Sequence, residues 1–382
     1  MPEENEHDRS LAARKITGND YMNLREPLKS PSRYARMALM ISPAISFIFA
    51  EERLVFGKIL SMKVAMADVP PSDNHAVAFK SRLSASSVLP TASRVSPNPS
   101  NALLIFSTWG MPSLTAVELD QLPELKAVFY AAGTVKAFAT PFLERGVTVC
   151  SAWGANAVSV AEFCLGQILL ACKGYFRNTR ECRDPEAVYA KTPFRGKGAY
   201  GETIALIGAG QIGRKLIELL RPFRLRILVV DPYLADADAA ALGVETVSLE
   251  TAFRDACVVS NHLPNLPSLQ KVLGRTLFAS MRQGATFINT GRGAQVNEAD
   301  LVAVWRERPD LLALLDVTYP EPPARDSGLF LLPNIQLSNH MAGAHDDEVV
   351  RMADYMLEEF RRYQAGEPLR YSVSLDMLDR MA

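Results

Sequence analysis

The chain contains 382 residues, of which 48% are hydrophobic and 22% are charged. This balance is typical of a globular protein, and the length exceeds what one ordinary core accommodates, so we predict two domains. The formal net charge of −1 creates no overall field that would attract nucleic acid or an anionic membrane, and neither is predicted as a partner.

Cysteine usage and apolar segments bear on the compartment. The five cysteines include no CxxC pair, and their odd number argues against a framework of disulfides. The apolar stretch 37–50 has 14 residues, whereas a membrane-spanning helix needs about 20. The first 36 residues are polar and carry early acidic residues, which is unlike a signal peptide. We therefore predict a cytoplasmic protein.

The first half of the chain shows a βαβ rhythm. Residues 1–35 have no hydrophobic periodicity and are predicted to form a flexible extension. A first strand is expected over 38–42, and the Ser-, Pro- and Asn-rich stretch 70–101 is expected to be a long loop. Strands and helices then alternate, with strands predicted over 102–108, 127–130 and 147–150 and helices over 114–122 and 140–145.

A second alternating series follows a long helix predicted over 157–173. A final amphipathic helix is predicted over 352–363. The strands between these two helices are predicted over 203–207, 226–230, 256–260, 286–289 and 313–317. The alternation predicts a second α/β unit with a parallel sheet.

A glycine-rich turn follows the first strand of this second series. Gly208, Gly210 and Gly213 stand in the spacing GxGxxG, with Gln211 and Ile212 between the last two glycines. The preceding strand and the following helix are the context in which this motif binds the pyrophosphate of a dinucleotide. The motif therefore predicts a dinucleotide site.

The nature of the dinucleotide follows from the next strand. Asp231 comes directly after the apolar run ILVV, where a carboxylate accepts hydrogen bonds from ribose hydroxyls and repels a 2′-phosphate. The predicted cofactor is therefore NAD. The alternative interpretation is a glycine turn and a surface aspartate in an unrelated α/β fold.

Three later segments place polar side chains at strand ends. They are 287–293 (FINTGRG), 316–322 (DVTYPEP) and 338–344 (SNHMAGA). Ligands of open parallel sheets bind outside the carboxyl ends of the strands, and Arg292, Glu321 and His340 are all expected on that side. Taken singly, each residue has a structural alternative: a turn-capping arginine, a solvated loop acid and a satisfied structural histidine.

These motifs, in this order, resemble the D-isomer-specific 2-hydroxyacid dehydrogenase family, whose segments read INTxRG, DVxxxEP and PHxAG. Here they stand as INTGRG, DVTYPEP and NHMAGA. The resemblance covers about residues 100–365 and implies two Rossmann-like or flavodoxin-like α/β domains with parallel sheets. It predicts that an NAD-binding Rossmann domain, 152–341, is inserted into a discontinuous substrate domain formed by 36–151 and 342–382.

The resemblance also implies catalytic roles. Arg292 would bind the substrate carboxylate, since its planar fork matches the carboxylate and ketone oxygens of a 2-oxo acid. His340 would donate the proton during carbonyl reduction, and Glu321 would support the imidazole. Asp316 would contact the carboxamide of nicotinamide. The hydride passes directly between carbon atoms, so no metal is predicted.

Further binding residues are assigned on the same basis. His262 and Leu263, in SNHLP, match a family loop that passes along the cofactor, and Thr290 and Gly343 are also assigned to cofactor binding. Substrate binding is assigned to Arg292 and to the backbone N–H groups of the loop after residue 130, namely those of Gly133 and Thr134.

The substrate loop departs from the family pattern. Lys136 stands where the family usually has aspartate, so the identity of the substrate stays open. Trp109 and Tyr130 could line a pocket for a bulkier acid or could be core aromatic residues.

The function predicted from this resemblance is hydride transfer between NAD and a small 2-oxo or 2-hydroxy acid, with the D configuration expected. Glu321 argues against formate as substrate, because formate dehydrogenases of this superfamily carry glutamine at that position. The alternative function is that of an NAD(H)-sensing binding protein, like the corepressors of the same fold family. A homodimer is expected through the helix after residue 157 and the segment 175–200.

Overall fold

A computed structural model of the chain describes residues 64–66, 104–190 and 196–378. The extension predicted over 1–35, the strand predicted over 38–42 and the loop predicted over 70–101 all lie outside the described residues.

Among the described residues, the first sheet has five strands in the order β1-β2-β3-β4-β12. Its strands are β1 (Val64–Met66), β2 (Leu104–Ser107), β3 (Ala127–Tyr130), β4 (Thr148–Ser151) and β12 (Ser372–Val373). Strands β1 to β4 run parallel, whereas β12 pairs antiparallel with β4. The predicted parallel sheets are confirmed, and one antiparallel strand is added at this edge, because a late segment returns to pair with β4 without a crossover helix.

Aromatic side chains fill the core of the first sheet. Every residue of β3 is buried, as expected of a strand covered on both faces. The Phe129 ring stacks on Phe106 at 5.1 Å and meets Phe360 edge-on at 5.6 Å. Tyr130 is buried and packs against Phe138, so it is a core residue. Trp109, in contrast, is half-exposed.

The second sheet has seven parallel strands in the order β11-β10-β9-β8-β5-β6-β7. They are β5 (Thr203–Ile207), β6 (Arg226–Val230), β7 (Glu245–Thr246), β8 (Val258–Asn261), β9 (Thr286–Asn289), β10 (Leu312–Leu315) and β11 (Ile335–Leu337). The strand order reverses direction at β5, which pairs with β6 on one side and β8 on the other. Such a switch point is where doubly wound sheets bind nucleotides.

Helices cover both sheets. Those before residue 200 are α1 (Ala116–Asp120), α2 (Thr140–Glu144), α3 (Trp153–Cys172), α4 (Tyr175–Glu181) and α5 (Pro185–Ala190). Those after it are α6 (Gln211–Leu220), α7 (Asp236–Leu242), α8 (Leu249–Asp255), α9 (Arg275–Ser280), α10 (Glu298–Glu307), α11 (Val349–Ala365) and α12 (Leu375–Leu378).

Helix α3 links the two hydrophobic cores. Ala155 belongs to the core of the first sheet, whereas Val160, Ile168 and Cys172 belong to that of the second. The helix begins at Trp153, one turn before the predicted start. By length and composition alone α3 could cross a membrane, but its buried residues pack as those of a core helix do.

The chain returns to the first core after the second sheet. Ala342 is buried in the second core and Ala344 in the first. Helix α11 then packs on the first sheet, and its fully buried Glu359 accepts hydrogen bonds from the N–H groups of Arg370 and Tyr371. These bonds position β12 beside β4. The discontinuous division at 151/152 and 341/342 stays a prediction.

Candidate active site

The glycine-rich turn connects β5 to α6 at the switch point. Gly208 has a φ of +102°, and an ideal Cβ built there would lie 3.0 Å from the carbonyl oxygen of His262. A Cβ at Gly213 would collide with the carbonyl oxygen of Gly208, so the helix approaches the strand only with glycine present. The N–H groups of Gln211 and Ile212 have no acceptor among the described residues, as expected of donors that hold a phosphate.

Asp231 lies directly beyond β6 and supports this turn. Its carboxylate accepts the N–H of Ala209 at 2.7 Å and the N–H of Tyr233 at 2.8 Å. Each carboxylate oxygen keeps a further lone pair that could accept a ribose hydroxyl. The aspartate therefore holds the glycine-rich turn in place, and it also lies where the ribose is expected to bind.

His262 is a buried member of a polar chain behind the turn. Its Nε2 lies 3.0 Å from the Ser260 hydroxyl and its Nδ1 lies 3.2 Å from the Thr290 hydroxyl. Burial lowers the pKa of His262 to about 4, so the ring is neutral at physiological pH. His262 and Thr290 thus contact each other through their side chains, and His262 faces the glycine turn through its backbone carbonyl.

Three buried amide side chains connect the cofactor loop to the INTGRG segment. Asn261 Nδ2 donates to Asn289 Oδ1 at 2.9 Å and to Gln295 Oε1 at 2.6 Å. Gln295 in turn accepts the N–H of Arg292 and donates to the carbonyl oxygen of Leu263. These amide residues were not predicted from the sequence, since a lone amide residue carries no functional signal without its partners.

Arg292 follows this network as a half-buried cation. Its guanidinium donates one hydrogen bond, to the carbonyl oxygen of Gly291 at 2.7 Å. In the described part of the chain no carboxylate forms an ion pair with it. Burial lowers the pKa of Arg292, while the nearby Glu321 carboxylate acts against that shift. A partly desolvated guanidinium with unused donors is suited to bind an anion.

Gly293 brings the INTGRG segment against the DVTYPEP segment. A Cβ at Gly293 would collide with the backbone of Thr318. The absence of a side chain therefore allows the Arg292 loop to lie directly on the segment that leads to Glu321.

His340 and Glu321 form a contact at the carboxyl ends of β10 and β11. Nδ1 of His340 lies 3.0 Å from Oε1 of Glu321, and the two side chains are 49% and 40% exposed. Nε2 of His340 has no partner within the described ranges. His340 adopts a φ of +59°, an uncommon conformation for a residue other than glycine.

Asp316 holds the loop that carries His340. Its carboxylate accepts the Ser338 hydroxyl at 2.6 Å and the N–H groups of Met341 and Ala342 at 2.9 and 3.0 Å. Its carbonyl oxygen accepts the N–H of His340 at 2.9 Å. The side chain is 3% exposed. Asp316 is thus a positioning residue for His340, and its contact with nicotinamide stays a prediction.

The predicted substrate loop lies at the end of β3. The Ser151 hydroxyl donates to the carbonyl oxygens of Ala132 and Gly133 and anchors the loop. The N–H groups of Gly133 and Thr134 have no acceptor in the described chain. They are therefore free to bind a carboxylate oxygen.

Asn156, on α3, connects this loop to the segment after His340. Its Oδ1 accepts the N–H of Ala344 at 2.9 Å, and it would contact a Cβ placed on Gly343 or on Gly133. Gly343 thus lies where the chain passes between the two cores. Among the described residues, no group of three or more His, Cys, Asp or Glu side chains is arranged to bind a metal.

Sequence comparison finds one matching family model and several characterised relatives. Residues 165–342 match the model described as D-isomer specific 2-hydroxyacid dehydrogenase, NAD binding domain. The chain is 32% identical to a hydroxypyruvate reductase of Thermotoga maritima over 218 residues, which are 56% of this chain and 69% of that protein. It is 30% identical to a D-3-phosphoglycerate dehydrogenase of Mycobacterium tuberculosis, over 67% of this chain and 48% of that protein. The chain thus spans about half the length of several relatives it matches.

Structural comparison finds the same two-domain α/β fold. The apo form of D-mandelate dehydrogenase from Rhodotorula graminis has a TM-score of 0.64 at 21% identity, over 82% of this chain and 97% of that one. A D-2-hydroxyisocaproate dehydrogenase has a TM-score of 0.61 at 20% identity, over 72% and 87%. At these identities the likeness establishes the fold.

Proposed function

Because this chain belongs to the D-isomer specific 2-hydroxyacid dehydrogenase family and carries its NAD-binding domain, we propose that it transfers a hydride between NAD and a small 2-oxo or 2-hydroxy acid. The observation that carries the proposal is the contact between His340 and Glu321, near a half-buried Arg292 that has no carboxylate partner among the described residues. An acid–base residue and an anion-binding residue at one sheet edge are what reduction of a 2-oxo acid requires.

NAD would bind across the switch point of the second sheet. Gln211 and Ile212 offer unpaired N–H groups to the pyrophosphate, and Gly210 has no described atom within 4 Å of an ideal Cβ, so a ligand can approach its backbone closely. Asp231 would accept ribose hydroxyls and repel a 2′-phosphate. The bound nicotinamide supplies the hydride for the carbonyl carbon.

The substrate carboxylate would bind between two groups of donors. The Arg292 guanidinium keeps free N–H donors, and Gly133 and Thr134 offer two backbone N–H groups from the first sheet. Since these donors belong to different sheets, substrate binding would favour closure of the cleft between them and exclude water.

His340 would supply the proton. Its Nδ1 faces Glu321, so Nε2 is the atom that would donate to the carbonyl oxygen during reduction and accept from the hydroxyl during oxidation. Glu321 would stabilise the imidazolium and orient the ring. Asp316 would keep the loop in place through its hydrogen bonds to Met341 and Ala342.

We further propose a cytoplasmic homodimer built on α3 and the segment 175–200. Helix α3 is rich in apolar residues, and its Leu170 is 40% exposed. Tyr175 and Tyr189 are also exposed, and a second copy would cover such large apolar side chains. Sedimentation of the full chain, with Leu170→Glu as the disrupting variant, measures the oligomeric state.

The function is tested by following NADH oxidation by absorbance against a panel of 2-oxo acids. The panel includes glyoxylate, hydroxypyruvate and phenylpyruvate, and His340→Ala is the matched control. We expect turnover on at least one acid and a loss of about 100-fold or more in the variant, with NADH affinity nearly unchanged. NADH binding without turnover across the panel would reject the dehydrogenase function and favour an NAD(H)-sensing protein.

A further inference from the structure

Two cysteine thiols lie in contact at the amino end of β8, whereas the predicted active site lies at the carboxyl ends of the strands. Sγ of Cys172 is 3.9 Å from Sγ of Cys257. Cys172 is the last residue of α3, and Cys257 directly precedes β8, so 85 positions separate them in the chain. The contact therefore depends on the tertiary fold.

The surroundings of the pair differ for the two sulfur atoms. Cys172 is 5% exposed, whereas Cys257 is half-buried. The hydrogen bond between the thiols lowers the pKa of Cys172 and raises the pKa of Cys257. A carboxylate and a guanidinium that are paired with each other, Glu202 and Arg282, lie beside the pair. The Cys257 thiol thus stabilises Cys172 as a thiolate, which is the reactive form of a cysteine.

The other three cysteines have partners of a different kind. Cys150 lies against the Glu359 carboxylate, Cys164 against the Thr290 hydroxyl, and Cys182 against the Asn178 side chain. Burial raises the pKa of both Cys150 and Cys164 to about 12. In the described part of the chain, Cys172 and Cys257 are therefore the cysteines arranged to react with each other.

We propose that Cys172 and Cys257 form a reversible disulfide when the protein meets a hydroperoxide. The Cys172 thiolate first attacks a peroxide oxygen, the oxygen–oxygen bond breaks, Cys172 becomes a sulfenic acid, and the peroxide is reduced to water or an alcohol. The Cys257 thiol then loses its proton and attacks the Cys172 sulfur, a sulfur–sulfur bond forms, and the sulfenic oxygen leaves as water. Two thiols lose two protons and two electrons in total. An excess of small thiol reverses the reaction by exchange.

Modest motion brings the two atoms to bonding distance. A disulfide has a sulfur–sulfur separation of about 2 Å, so the present contact must close by a similar amount. Cys172 is at the C-terminal end of α3, and a change of side-chain rotamer there disturbs no later turn of the helix.

The bond would fasten α3 to the cofactor-binding sheet. Cys172 lies on the same helix face as Val160, Cys164 and Ile168, which are all buried in the second core. Cys164 contacts Thr290, and Asn156 at the other end contacts the segment after His340. Oxidation would therefore fix the position of the helix that links the two cores.

Peptide mapping of the full chain after treatment with hydrogen peroxide tests this inference. The native protein should lose two of its five thiols and yield one cross-linked peptide that contains Cys172 and Cys257. Dithiothreitol should restore both thiols. The oxidised form should melt a few degrees higher, because the cross-link restricts the unfolded chain.

Matched variants make the test specific. Cys172→Ala and Cys257→Ala should each abolish the cross-link, whereas Cys182→Ser should leave it unchanged. Thermal melts of the reduced variants report whether they fold. If Cys172→Ala or Cys257→Ala fails to fold, the comparison of the native protein with Cys182→Ser still tests the cross-link. Native protein that consumes peroxide at other thiols but forms no Cys172–Cys257 peptide would overturn the proposal. A cross-link that forms only in denaturant would overturn it equally.

Discussion

Oε1 of Glu321 lies 3.0 Å from Nδ1 of His340, and this contact leaves Nε2 as the ring nitrogen without a partner among the described residues. Both residues are on loops at the carboxyl ends of neighbouring strands, and both side chains are about half-exposed. Exposed ion pairs contribute little to the stability of a protein. We therefore attribute this contact to the proposed catalytic role rather than to stability.

Replacement of Glu321 by Gln should separate catalysis from binding. Glutamine keeps the size and one hydrogen bond but removes the charge that would stabilise the imidazolium. We expect kcat for reduction of the best 2-oxo acid to fall about 10- to 100-fold, with little change in KM or in the free energy of unfolding. A variant with full kcat would show that the carboxylate charge has no catalytic role.

Replacement of Asp231 by Ala should alter the choice of dinucleotide. The carboxylate that would repel a 2′-phosphate is removed, so NADPH should bind about 10-fold better relative to NADH, which corresponds to about 1.4 kcal/mol. Titration calorimetry with both dinucleotides measures this ratio.

Because Asp231 also accepts the N–H of Ala209, Asp231→Asn is the control. It keeps an acceptor for that N–H while removing the charge. An unchanged NADH to NADPH ratio in both variants would refute the assignment of Asp231 to the ribose.

Replacement of Gly293 by Ala should displace the Arg292 loop. A Cβ there meets the backbone of Thr318, which cannot rotate away as a side chain could. We expect a destabilisation of about 1–3 kcal/mol and a fall in kcat/KM for the 2-oxo acid, measured by urea unfolding and by initial rates.

The matched control is Gly166→Ala, on an exposed face of α3. No described atom outside the backbone of the helix itself lies within 4 Å of an ideal Cβ at Gly166, so this variant should be as stable as the parent or more so, because alanine is the better helix former. Equal losses in both variants would contradict the close approach at Gly293.

His262 should make the stability of the protein depend on pH. Burial lowers its pKa in the folded state to about 4, below its usual 6.5, so the unfolded chain binds the proton more tightly. Its contribution to stability is full above pH 6.5 and is lost as the pH falls toward 4. The difference between pH 7 and pH 5 should be about 2 kcal/mol.

Urea unfolding at pH 7 and pH 5 measures this effect. The control is His262→Gln, which lacks the titrating ring and should show a smaller loss of stability between the two pH values. If the parent and the variant lose equal stability, His262 does not titrate as its burial requires.

Local sequence determined the elements whose apolar runs are buried on both faces. Strands β3, β5, β6 and β9 begin and end where the sequence predicts, because continuous apolar residues between turn residues specify a buried strand directly. The glycine turn is equally local, since its spacing and its neighbouring strand and helix are adjacent in the chain.

Tertiary structure decided the short edge strands and the starts of helices. Strands β7, β11 and β12 contain two or three residues each and exist because a neighbouring strand supplies their hydrogen bonds. Helix α3 begins at Trp153, before its apolar periodicity becomes clear. Such elements have no pattern of their own that is long enough to detect.

Tertiary structure also decided how the site residues are held. The sequence alone identified Arg292, Glu321 and His340 as chemically suited side chains at strand ends. It did not indicate that Gln295 would accept hydrogen bonds from the Arg292 backbone and from Asn261, which is 34 positions before Gln295 in the chain. It also did not indicate that Asp316 would bind the backbone of the residues after His340. Residue type and spacing determine which groups can do chemistry, whereas the buried hydrogen bonds that orient them form between distant segments and depend on the packed fold.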